Sequence, residues 1–193
     1  MTYKHIVLDL ETLGIKPGAP VLSIGATAFS LEHDDTRQFY VKLRLAQQSM
    51  AGLDADTLLW WIEQEDSAFS AAFTENQAAE TLWTAVQLFS IWFEQIRREA
   101  DQEPCVWGNS NSFDNEILRE LFERCGFEAP WSFRSDRDFR TLRALYKDKV
   151  PEPPFEGIRH HAKDDSAHEA NWLRSILIHC NLADQTLAAL TAD

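Results

Sequence analysis

Residues 4–31 read KHIVLDLETLGIKPGAPVLSIGATAFSL, and the fold follows from how this stretch is parsed. KHIVLDL is a short apolar run, VLSIGATAFSL (21–31) is strand-like, and QFYVKLRL (38–45) follows as a third strand after a polar break at Glu32 to Arg37. The three predict an antiparallel meander. Side chains alternate along a strand, so Asp9 and Glu11, two apart at the end of the first run, point to one face. Two carboxylates can converge there; the plainer alternative is a strand end whose acids face water or cap the turn.

Further along, DADTLLWWIEQ (54–64) predicts a helix capped by Asp54 or Asp56. A second helical pattern runs from about Gln77 to Glu99, with Leu82, Val86, Phe89, Phe93 and Ile96 as its apolar stripe. PCVWGN (104–109) reads as a fourth, buried strand, and FDNEILRELFERCG (113–126) as a helix ending at a glycine. An irregular segment contains DFRTLRALY, with Thr141 as the expected N-cap, and then PEPP (151–154), which no helix can cross. The last helix is expected from about Asp164 to Leu182. With no internal repeat and no low-complexity linker, residues 1–193 are expected to form a single α/β domain, a mixed sheet whose N-terminal meander is flanked by helices.

Composition narrows the function classes. At 193 residues, 45% hydrophobic and 25% charged, the chain can bury a core and lies outside the disordered and collagenous classes. No apolar run reaches the length of a spanning helix and the N-terminus lacks a secretory pattern, so no membrane partner and a cytoplasmic location are expected. Cys105, Cys125 and Cys180 are odd in number and lack CxxC spacing, which argues against disulfides and cysteine-rich zinc sites. Eighteen basic against 31 acidic residues give a net charge of −13, unlike proteins that hold long nucleic acid by blanket electrostatics. Any nucleic acid must be gripped locally.

Two further acids point inward. Asp114 shares a helical stripe with Ile117, Leu118, Leu121 and Cys125, although an acid opening a helix is often simply a cap. In HHAKDDSAHEANWLRSI (160–176), Asp165 lines up with Trp172, Leu173, Ile176 and Cys180, whereas Asp164 lines up with His168, Asn171 and Ser175 on the outer face. An ideal helix would place His160 about 140° from Asp165, so His160 must lie in the loop entering the helix if both serve one site. Like charges about 4 Å apart repel by about 4 kcal/mol per pair at an effective dielectric of 20. A cluster of inward acids therefore needs cations or protons, and oxygen ligands favour Mg²⁺ or Mn²⁺, two of which suit phosphodiester hydrolysis.

In order, Asp9-Leu-Glu11-Thr12, Phe113-Asp114-Asn115 and His160-x-Ala162-x-x-Asp165 resemble the three motifs of the DEDDh exonucleases, whose fold is ribonuclease H-like. Within that group the chain is similar to the ribonuclease T-like 3′ exoribonucleases and phage exonuclease A, through DLETLG, VLSIGA, DADTLLWW, VWGN with SFDNEIL, and HHAKDDSAHEANWL, which together cover most of the length. Lys163 departs from the leucine common at that position. The resemblance implies that Asp9, Glu11, Asp114 and Asp165 hold two divalent ions, Mg²⁺ or Mn²⁺, and that His160 is the general base. It also implies an apolar wedge between terminal bases at Leu13, beside Thr12.

Trp60, Trp61, Trp107 and Phe113 are candidates for base stacking, and Asn109 and Ser110 for hydrogen bonds near the scissile bond; core packing and turn formation are their alternatives. Arg134, Arg137, Arg140 and Arg143 form the locally basic stretch, either a phosphate contact or a solvated face. The expected function is 3′ to 5′ hydrolysis of single-stranded RNA or DNA to nucleoside 5′-monophosphates, with a homodimer through the Trp60–Trp61 helix as a candidate assembly. The rivals are a phosphodiesterase for small nucleotides and a domain that binds nucleic-acid ends without cleaving them.

Overall fold

The computed structural model describes residues 2–74, 79–100 and 102–180. Five strands form one mixed sheet: β1 (His5–Thr12), β2 (Val21–Phe29), β3 (Thr36–Lys42), β4 (Cys105–Gly108) and β5 (Asp136–Asp138), in the order β3-β2-β1-β4-β5. β1, β2 and β3 pair antiparallel, while β4 runs parallel to β1 and β5 parallel to β4. The meander is therefore as expected, and the parallel half is added to its free β1 edge. Among the described residues, six α-helices follow the meander in sequence: α1 (Ala55–Ile62), α2 (Asp66–Phe73), α3 (Leu82–Glu99), α4 (Asp114–Arg124), α5 (Phe139–Tyr146) and α6 (Ala162–His179).

Alternation along β1 divides the core. Ile6, Leu8 and Leu10 pack with Val86, Phe89, Phe93 and Ile96 of α3 and with Ile117, Leu118 and Leu121 of α4. Val7 faces the opposite way, into a cluster with Phe139 of α5 and Trp172, Leu173 and Ile176 of α6. Both faces of β1 and β2 are thus covered, and β2 is buried at every position. A third cluster, Leu13, Leu22, Trp61 and Ala72, ties α1 and α2 to the end of the meander.

The structure corrects several boundaries. Thr81, not a residue near Gln77, caps α3, its side chain accepting from the Thr84 amide; Gln77 and Leu182, the expected helix ends, lie outside the described residues. α5 is capped by Asp138, whose carboxylate accepts from the Thr141 amide and hydroxyl, so Thr141 lies inside the helix and not at its cap. β5 and α2 were not expected. β5 is three residues long, and its DRD sequence carries no apolar signal; it pairs only because β4 offers an edge.

α6 crosses the sheet unusually close to β2. A Cβ on Gly25 would stand 2.0 Å from the Ala162 carbonyl oxygen and 2.6 Å from the Lys163 nitrogen, so only glycine lets the first turn of α6 lie directly on the strand. The buried hydroxyls of Thr27 and Ser166, 3.1 Å apart, fasten the next turn. Because Gly25 is the register partner of Asp9, this contact sets the α6 N-terminus over the first carboxylate. Gly25→Ala is expected to destabilise the fold by about 3 kcal/mol through overpacking, to be checked by urea unfolding, and to lower activity in the fraction that still folds.

Candidate active site

Asp9 and Glu11 continue the face of β1 that Val7 begins, the face that α6 covers. Glu11 is buried and Asp9 half-buried. β1 irregularity between Glu11 and Thr12 marks the strand end, and three contacts then fix the chain that leaves it. The Trp61 indole donates to the Thr12 carbonyl at 2.9 Å, the Asp54 amide donates to Leu13, and Gln48 bonds both backbone groups of Val21.

Asp114 opens α4 just beyond the end of β4 and is buried. It reaches the cluster because β4 ends in Gly108, where a Cβ would stand 2.5 Å from Asn115 Oδ1 and 3.0 Å from Asp114 Oδ2. The next residue acts as a clamp. Asn115 Nδ2 donates to the Val106 carbonyl and to Asp136, and Asp136 also accepts from Arg119 and from the Trp131 indole. This network joins α4, β4 and β5, so the acid ahead of it has a fixed position.

The third segment delivers His160 and Asp165. His160 lies before α6, as the helical phase required, with φ of 61°, a conformation that costs a non-glycine residue energy and is held only by its surroundings. Asp164 supplies part of that support: it faces outward as expected and accepts from the Ile158 amide at 2.9 Å, closing the loop ahead of the helix. The imidazole packs edge-on against Trp60, with ring centroids 4.8 Å apart. Glu11, His160 and Asp165 offer ligand atoms within 4.8 Å of one another. Asp9, Glu11, Asp165 and the His160 imidazole therefore line one cleft of about 290 Å³, and the charge of Asp114, buried at the start of α4, acts on Asp9.

Glu169, one turn beyond Asp165, was not anticipated as a member of this group. It is buried, lines the same cleft, and its Oε2 has no hydrogen-bond partner in the protein. Its place on the inner stripe with Trp172, Leu173 and Ile176 was legible in the sequence. Arg143 and Arg159 also line the cleft, Arg143 with its guanidinium over the rings of Phe139 and Trp172. Of the basic stretch, Arg143 therefore reaches the cleft, whereas Arg137 donates to the Arg134 and Asp136 carbonyls.

A wider cleft of about 520 Å³ adjoins Glu11 on the other side, lined by Thr12, Ile15, Asp54, Trp60, Trp61 and Phe113 among others. Leu13 is not exposed to it. It is buried with Leu22 and Trp61 because its backbone pairs with Pro20 and Asp54, which turns the side chain into the core; the exposed apolar residue at the mouth is Ile15. Trp61 is likewise buried, and Trp60 is the tryptophan of α1 that stands 40% exposed in the cleft wall. Asn109 lines the acidic cleft with a buried Oδ1 that lacks a partner, while Trp107 is core.

Burial is the main cause of the electrostatic strain. It raises Asp9 well above the usual carboxylate range, with the charges of Glu11, Glu169, Asp114 and Asp165 adding to it. Glu11 is pushed to about 8 by burial and then by Asp165 and Asp114. Asp114 rises to about 7 through burial, against backbone amides that favour its charge, and Asp165 to about 6. Burial lowers His160, helped by the Arg159 charge, which leaves the imidazole neutral at pH 7. The raised acids bind protons more tightly in the folded than in the unfolded chain, so without cations stability falls as pH rises from about 4 through about 8. The melting temperature in EDTA is expected to drop across that window, and saturating Mg²⁺ or Mn²⁺ should flatten the decline; a pH-independent melting temperature in EDTA would contradict the clustering.

Comparisons with known proteins agree with this geometry. Residues 4–177 match the family described as the 3′-5′ exoribonuclease Rv2179c-like domain. No curated protein matches the sequence. Among solved structures, the fold is similar to the nuclease domain of 3′hExo, a DEDDh family member bound to rAMP, at 12% identity and a TM-score of 0.62 over 92% of this chain and 93% of that one. It is also similar to a 3′-exonuclease in a structure of 3′-end recognition of histone mRNA stem-loop, at 10% identity and a TM-score of 0.62, covering 93% and 84% of the two chains. A full-length 3′-exonuclease gives 13% identity and a TM-score of 0.60 over the same shares. These likenesses establish the ribonuclease H-like fold of the DEDDh nucleases. By its sequence the chain belongs to the Rv2179c-like 3′-5′ exoribonuclease family, and it is a 3′-5′ exonuclease.

Proposed function

We propose that this protein removes nucleoside 5′-monophosphates from the 3′ end of single-stranded RNA, using two divalent ions held by Asp9, Glu11, Asp114 and Asp165. The observation that carries the reading is the convergence of buried carboxylates, with Glu11, Asp165 and His160 inside 4.8 Å. The donor set fits hard cations: it is all carboxylate oxygen apart from one imidazole, and its acids are raised, so that bound cations would relieve a repulsion the fold creates. When bound, such ions make water acidic enough to attack at neutral pH and neutralise charge on the phosphate.

The remaining chemistry belongs to side chains of this chain. His160, neutral and on a strained loop beside Glu11 and Asp165, accepts the proton of the attacking water at a ring nitrogen. Trp60 and Phe113, with Ile15 at the mouth, form apolar walls against which the terminal bases stack. Asn109 offers its unpartnered Oδ1 at the edge of the acidic cleft. Arg143 and Arg159 are the local cations that hold backbone phosphate in a protein of net charge −13. The preference for RNA rests on the family description; DNA is the alternative polymer, and a small-nucleotide phosphodiesterase is the alternative activity. With Trp60 turned to the cleft, Leu59 and Ile62 are the apolar residues that α1 leaves exposed for a homodimer contact.

Asp165→Ala should abolish the 3′-shortening ladder of a 5′-labelled oligonucleotide in Mg²⁺ or Mn²⁺ while leaving the circular dichroism spectrum unchanged. Rates that hold up over long RNA and DNA oligonucleotides are expected; activity confined to dinucleotides would favour the phosphodiesterase. His160→Ala is expected to lower kcat roughly 10²- to 10⁴-fold with ion affinity largely kept. Trp60→Ala should weaken single-strand binding by about 1–3 kcal/mol, read as a raised KM, and an unchanged KM would remove Trp60 from the substrate site.

A further inference from the structure

Glu169 is the buried acid of the cleft for which the proposed chemistry gives no task. It lies one turn past Asp165 on α6, is only 7% exposed, and keeps Oε2 buried without a partner in the protein. Among the described residues no cation lies within ion-pairing distance of it, and Arg143 and Arg140 act on it only from further away. Arg143 is spread over the Phe139 and Trp172 rings, and His168, its neighbour in sequence, is paired with Glu152 at 3.0 Å. An unpaired buried carboxylate costs several kcal/mol by order of magnitude unless it gains a proton or a cation.

The acids of the cleft fall into two overlapping groups. Glu11 and Asp165 gather with His160 inside 4.8 Å. Glu169 is not one of those three; it lines the same cleft as Asp9, and its charge bears on Asp9, Asp114 and Asp165. One ion at the first group satisfies neither Glu169 nor the Asp9 and Asp114 side of the cleft. We propose that Glu169 is a fifth carboxylate of the metal centre, completing the cation seat on the Asp9 and Asp114 side through its free Oε2, directly or through one water. This rests on the metal-dependent reading above and adds to it a residue outside the motif positions. It also assigns the two seats unequal ligand sets, so that one can be weakened without the other.

Calorimetric titration of Mn²⁺ into the metal-free, full-length protein, without substrate, tests this independently of turnover. The wild-type protein should bind two ions. Glu169→Gln should weaken one of them by at least about tenfold and leave the other within about twofold. Glu169→Asp, which keeps the charge on a shorter arm, should restore part of the lost affinity, and it carries the test if the glutamine variant fails to fold. Two wild-type-like sites in the variants overturn the role of Glu169 while leaving the exonuclease reading intact. A wild-type protein that binds no divalent ion overturns both.

Discussion

The contact between the first turn of α6 and Gly25 of β2 is the constraint on which the site depends. A helix normally stands off a sheet by the length of the side chains between them; here the absence of one Cβ brings the Ala162 peptide onto the strand. The approach brings Asp165 to Glu11 at the end of β1, and the chain enters the helix through an extended His161. His160 takes its left-handed conformation there, and Asp164 and Gly157 close the turn behind it. Affinity of the helix for the sheet comes from Trp172, Leu173, Ile176 and Leu177 further along, so hydrophobic burial at one end of α6 holds strained backbone and repelling charge at the other.

That arrangement separates stability from chemistry in space. The large aromatic cluster of Phe89, Phe93, Phe122 and Trp131 lies under α3 and α4, on the sheet face away from the acids. The polar clamp of Asn115, Asp136, Arg119 and Trp131 anchors α4 through hydrogen bonds within the protein, although the buried Asn115 Oδ1 keeps no partner there. In the acid cluster, Asn109, Glu169 and the raised carboxylates likewise have polar capacity left unused by the fold. Polar groups of that kind are retained at the expense of folding energy where an external partner completes them.

The two clefts share a wall. Glu11 lines both, and Trp60 touches the His160 ring while facing the apolar side. The position of Trp60 is thereby coupled by direct contact to the orientation of the His160 imidazole. The overall acidity of the chain is compatible with nucleic acid because Arg143 and Arg159 bring positive charge to the cleft itself, where Coulomb interactions act over short distances and little salt intervenes.

The sequence by itself determined the meander and the helix phases, because each is a local periodicity, and it singled out five residues through an ordered pattern. Asp9 and Glu11 share a face by strand geometry, Asp114 and Asp165 each lie on the inner stripe of their own helix, and the roughly 140° offset of His160 already demanded a loop. What only the tertiary structure decided was which neighbours complete the site. β5 forms because β4 presents an edge, Leu13 is core because its backbone is held by Pro20 and Asp54, and of the two tryptophans that line the wider cleft Trp60 is the exposed one and Trp61 the buried one. Glu169 sat on the right helical stripe, but its burial without a partner depends on distances between β1, α4 and α6. Those distances are set by two missing Cβ atoms, at Gly25 and Gly108, and contacts between segments far apart in the chain carry no signature in the order of residues along it.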